Sequence, residues 1–188
     1  MRLWPKKVVS EGEAVEAFVE QTMRLNAERW PSVALLLRPL MEEKLEENPT
    51  FLDEPSTAFQ FALARIALDL DTLPTFLPLD QAKRLRQSVQ ALMHPDPVLG
   101  PQSDRFFNKL ADSAREVNAS EFVARLYGSK LFAIYGITLF DVLDLDDYVD
   151  ADEPVRSPVI VAALVSAVFE LGTGWWKIFA DRHRLAAT

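Results

Sequence analysis

Apolar residues recur at helical spacing along almost all of this chain, and proline punctuates them. Strand signals are nearly absent: Val8-Val9 and Val159-Ile160-Val161 are the only runs of valine and isoleucine. A chain patterned this way folds by packing helices on helices. Ser10 followed by Glu13 is a capping box and predicts a helix start. Val15, Phe18, Val19, Thr22, Met23 and Leu25 follow at helical steps. Pro31 is expected to close that helix and open a second, carrying Leu35, Leu36, Leu37, Leu40, Met41 and Leu45 and kinked at Pro39.

Ser56 is the expected cap of a third helix that is apolar on nearly every face from 57 to about 70, the mark of a central element. Asp80 caps a fourth. Pro95, Pro97, Gly100 and Pro101 make 94–102 a loop and the best place for a sub-boundary in a single all-helical domain spanning 1–188. Ser103 opens a fifth helix and Ser120 a sixth running to Phe140. Gly128 and Gly136 inside the sixth point to close backbone approach, since each costs about 1 kcal/mol against alanine. Ser157-Pro158 starts the last helix, with a break expected at Gly172-Thr173-Gly174. The expectation is an all-α fold, an irregular or orthogonal bundle of about seven helices with the third, sixth and seventh at its centre.

Composition narrows the function classes. The net charge of −8 argues against nucleic acid as a partner. With no cysteine in the 188 residues there is no disulfide, zinc thiolate or thiol nucleophile, which fits a cytoplasmic protein. The basic N-terminus is followed by Ser10, Glu11, Glu13 and Glu16 rather than an apolar run, so it does not read as a signal peptide. His94 and His183 lack the spacings of metal-binding helices, and no phosphate-binding glycine loop or nucleophile elbow occurs.

Residues 141–153 hold seven acids and no base. Within them, Asp146-Asp147-Tyr148-Val149-Asp150 resembles the aspartate-rich DDxxD motif of isoprenyl diphosphate and terpene synthases. That resemblance implies a magnesium ion held by Asp146, Asp147 and Asp150 against a diphosphate, in a cavity lined by the sixth and seventh helices. The chain departs from the family in length, in lacking a second aspartate-rich motif, and in lacking the paired arginines. Glu42-Glu43-Lys44-Leu45-Glu46-Glu47 resembles the EExxE half of the MazG-like nucleotide pyrophosphohydrolases, but the third helix supplies Asp69 and Asp71 without the matching glutamate.

Trp175, Trp176 and Phe179 form an aromatic group near the C-terminus, either closing the core or offering an interaction surface. The apolar stretch 159–180 also admits membrane attachment, with Glu170, Lys177 and the glycine break counting against a true span. The favoured expectation is a non-catalytic helical protein without a cofactor, acting through self-association or a protein partner.

Overall fold

The computed structural model describes residues 6–45, 48–145 and 156–186. Helix α1 (Glu11–Leu45) is one unbroken element of 35 residues, about 50 Å long at 1.5 Å per residue. The capping box forms as expected: Ser10 N donates to Glu13 Oε2 at 3.0 Å, and Glu13 N donates to Ser10 Oγ at 3.2 Å. Pro31 does not end the helix, contrary to the sequence expectation. The buried stripe Ala14, Phe18, Thr22, Asn26, Trp30, Val33, Leu37, Met41 and Leu45 keeps its steps across both prolines. Pro31 and Pro39 are solvent-exposed, so water satisfies the carbonyls they leave unbonded. Leu35 and Leu36, expected on the apolar face, are about 70% exposed (69% and 71%).

Helix α2 (Pro55–Thr72) takes Glu54 as its cap and Pro55 at its first position. Ser56 therefore does not cap it; its hydroxyl donates to Glu54 instead. Thirteen of the 18 residues of α2 are buried, which makes it the central element its composition predicted. A short 3-10 turn, Leu73–Thr75, leads to α3 (Leu79–Met93), where Asp80 sits in the first turn rather than at the cap. Helix α4 (Leu99–Ala119) starts four residues earlier than expected, with Ser103 buried inside it. Its free amides are met by Asp96, whose carboxylate accepts from Val98 N and Leu99 N, both at 2.8 Å. Packing of α3 and α2 on α4 crosses this turn.

The expected sixth helix is two, α5 (Glu121–Leu126) and α6 (Lys130–Val142). Gly128, at φ +81°, turns the chain between them, and Ser129 Oγ recaps α6 by accepting from Phe132 N at 3.2 Å. Gly136 is the close approach its sequence position suggested: α7 (Pro158–Glu170) lies directly on it, with Val161 in contact. The break after α7 also forms, and α8 (Trp175–Arg182) follows. Two short strands, β1 (Lys7–Val9) and β2 (His183–Leu185), pair in parallel, with Lys7 opposite His183 and Val9 opposite Leu185. The fold is all-α, and α2, α6 and α7 pack mutually at its centre beneath α1.

Candidate functional site

The turn between α7 and α8 sets the geometry of the site. Gly172 is at φ +89°, and a side chain there would meet Arg29 Nη1 at 2.7 Å. That guanidinium donates to Leu171 O at 3.0 Å and so caps the end of α7. The start of α8 is capped from a distance. Asp69, fully buried on α2, accepts from the amides of Gly174 and Trp175. Burial pushes the Asp69 carboxyl above the usual carboxylate range, against the pull of those amides and of Arg65 one turn away. Arg65 is itself 4% exposed, and burial lowers its affinity for the proton.

Held there, α8 lays its aromatic residues in order. Trp175 and Trp176 both pack on Phe18 of α1, at 5.2 and 5.1 Å between ring centroids. Trp175, Phe179 and His183 stack along one line, at 4.9 and then 4.6 Å. Trp175 Nε1 donates to Gln21 Oε1 at 2.9 Å. Trp176 is 1% exposed, and its Nε1–H has no hydrogen-bond partner among the described residues; neither has His183 Nδ1.

Trp176 and Phe179 form one wall of a cleft of about 800 Å³, a volume in the range of small-ligand pockets. Phe76, Leu77 and Pro78, from the turn before α3, form the opposite wall. The strand pair closes one side with Val8, Leu185, Arg184 and His183, and Lys6 completes the lining by donating to the Ala180 carbonyl. Of the three C-terminal aromatics singled out in the sequence, Trp176 and Phe179 thus line the cleft, while Trp175 braces α8 against α1.

Several cleft features have little sequence signal. Phe76-Leu77-Pro78 carry no motif in the sequence, and nothing local indicates that residue 183 pairs with residue 7. Arg65 and Asp69 were legible in principle: they are opposite charges at i and i+4 in a helix otherwise apolar from Phe61 to Leu70.

The aspartate motif residues Asp146, Asp147 and Asp150 lie outside the described residues. The described acids of that run are matched by bases from elsewhere. Asp141 receives Arg156 at 2.7 and 3.1 Å, with Lys109 at 3.7 Å, and Asp144 receives Arg105 at 2.5 Å. Glu43 pairs with Lys44, while Glu46 and Glu47 lie outside the described residues. Asp71, the other acid of α2, accepts from Tyr135 Oη and pairs with Arg86 at 2.6 Å. Among the described residues, no three His, Asp or Glu side chains are grouped to hold a metal ion.

The stretch Pro158–Arg182 is long and apolar enough by composition to cross a membrane. In this fold it is two helices joined by a turn, with Ile160, Val161, Leu164, Val165 and Val168 of the first and Trp176 of the second buried. Comparison of the chain with known protein families, curated proteins and solved structures gave no match.

Proposed function

We propose that this protein acts by binding, and that the cleft between α8, the strand pair and the turn before α3 is its recognition site. The observation that carries this reading is the character of the lining. It combines an aromatic and aliphatic wall with a few convergent polar groups, the combination that orients a small ligand. The wall is built on fixed elements: α8 is held at its start by Asp69 and along its length by Phe18. Ring positions are therefore set before a ligand arrives, which lowers the entropic cost of binding.

Titration with phenylnaphthylamine, a neutral apolar dye that brightens when it leaves water, tests the proposal. One dye per chain is expected to bind, with energy transfer from tryptophan. Ala180→Trp, which fills the cleft from α8, is expected to abolish it. No binding, or binding indifferent to that substitution, contradicts the proposal.

A second reading, self-association, is favoured by one face of α7. Val159, Ala162, Ser166 and Phe169 are exposed in a stripe that ends at one charge, the exposed Glu170, and Phe169 stacks on Phe132 of α6 at 5.8 Å. Such a face suits a second copy of the chain. Light scattering on a size-exclusion column is expected to give a dimer mass that Phe169→Glu reduces to a monomer. A monomer at high concentration in the unsubstituted protein rules this reading out.

A further inference from the structure

Building on the cleft as recognition site, we infer that its ligand is a small apolar anion, with its charged head toward Arg184 and Lys6 and its body against Trp176 and Phe179.

The reasoning begins with how this chain places its charges. Acids outnumber bases, 28 to 20, and several of the surface arginines are held by acids. Arg38 meets Asp53, Arg84 meets Glu11, Arg86 meets Asp71, and Arg105 meets Asp144. The cleft gathers bases without acids. Arg184, Lys6 and His183 line it, and no Asp or Glu is among its described lining residues. Among the described residues the Arg184 side chain has neither an ion pair nor a hydrogen bond, and the Lys6 ammonium donates only to a backbone carbonyl. One acid is bonded to a lining side chain: Glu11 accepts from Gln81, and Arg84 neutralises it at 2.7 and 3.2 Å.

Cations gathered beside low-dielectric walls focus a positive potential into the space between them. A cationic ligand is repelled there. A neutral one strips water from the cations and returns nothing for it. An anion removes both costs. Of the two buried polar atoms in this lining that lack a partner among the described residues, the Trp176 indole N–H is a donor only and His183 Nδ1 is a donor in one tautomer, so both can meet an anion. The aromatic wall in turn selects a flat or flexible apolar body over a compact ion such as free phosphate.

Two dyes of one ring system separate this inference from the reading it rests on. Anilinonaphthalene sulfonate carries a negative charge that phenylnaphthylamine lacks. In low salt both are expected to bind once per chain, the sulfonate roughly tenfold more tightly or better, which corresponds to about 1.4 kcal/mol. That preference is expected to fall several-fold in about 0.5 M salt, where screening shortens to a few Å. It is also expected to fall toward parity in Arg184→Gln, a substitution at an exposed strand residue that holds no other group in place. Lys6→Gln is the second variant. Equal affinity for the two dyes, or a preference that survives both substitutions, overturns the anion inference and leaves the cleft standing. Failure of both dyes to bind removes the cleft itself.

Discussion

Replacing Gly136 with alanine sets two effects of known size against each other. Alanine is the better helix former by about 1 kcal/mol, so on propensity alone the change stabilises α6. The structure opposes it. A β-carbon at position 136 overlaps Val161 Cγ1 and stands 2.9 Å from Val161 O and 3.0 Å from Val165 Cγ2. Valine in a helix has one favoured rotamer, so its methyl groups have nowhere to turn. The carbonyl oxygen belongs to the backbone of α7. Relief therefore requires α6 and α7 to separate, at a contact where Ile137, Leu139 and Phe140 on one side and Val161, Leu164 and Val165 on the other are buried. Overpacking of a dense core costs about 1–3 kcal/mol, and backbone involvement places this case at the upper end. The net expectation is destabilisation by about 2 kcal/mol, or a melting temperature lower by about 4–8 °C for a chain of this size. Urea unfolding followed by circular dichroism measures it, with an unchanged slope assigning the shift to stability. Gly12→Ala is the control, because a β-carbon there meets nothing within 4 Å; it is expected to be neutral or stabilising by up to about 1 kcal/mol. A Gly136→Ala protein as stable as its parent would refute the described contact between α6 and α7.

Asp69→Leu removes a buried acceptor from two backbone amides and is expected to cost about 2 kcal/mol or more in the same assay. Because the folded state raises the Asp69 pKa, folded protein holds that proton more tightly than unfolded protein. Its contribution is therefore full below about pH 4 and declines as pH rises through the elevated value; a deficit in the variant that grows with pH argues against this. Ser10→Ala breaks the capping box and is expected to lower stability by about 1 kcal/mol. The Glu13 carboxyl, held below its usual range by bonds from the Ser10 amide and hydroxyl, acts with the opposite sign. Its contribution is present above about pH 4 and fades as pH falls. NMR titration of Glu13 in the Ser10→Ala protein is expected to show its pKa moving part of the way back toward the ordinary value, since the amide of residue 10 still donates; an unmoved pKa would contradict the hydroxyl bond.

Fold class was legible because helical periodicity is a local property. The capping box at Ser10, the break at Gly172–Gly174 and the tight contact at Gly136 were legible for the same reason: each is a short pattern with a physical meaning. Boundaries were misread where tertiary packing outweighs a local signal. Pro31 looks like a stop, yet the apolar stripe on α1 continues past it, and burial of that stripe outweighs the lost hydrogen bond. Ser56, Asp80 and Ser103 look like caps, but Pro55, the Pro78 turn and Asp96 begin those helices earlier. Half of the cleft was visible in Trp176 and Phe179. The other half was not, because pairing of residue 7 with residue 183 is a contact between distant ends that leaves no periodic trace.

The chain has four tryptophans, and each indole N–H gives its own signal in a nitrogen–proton correlation spectrum. Trp30 donates to Leu52 O and Trp175 to Gln21, whereas Trp176 lines the cleft without a partner among the described residues. Titrating anilinonaphthalene sulfonate into labelled protein therefore tests the recognition site most directly. The Trp176 signal is expected to move furthest and to saturate at one equivalent, with the Trp30 signal fixed. A stationary Trp176 signal, or one that moves no further than Trp30, would contradict binding at this cleft.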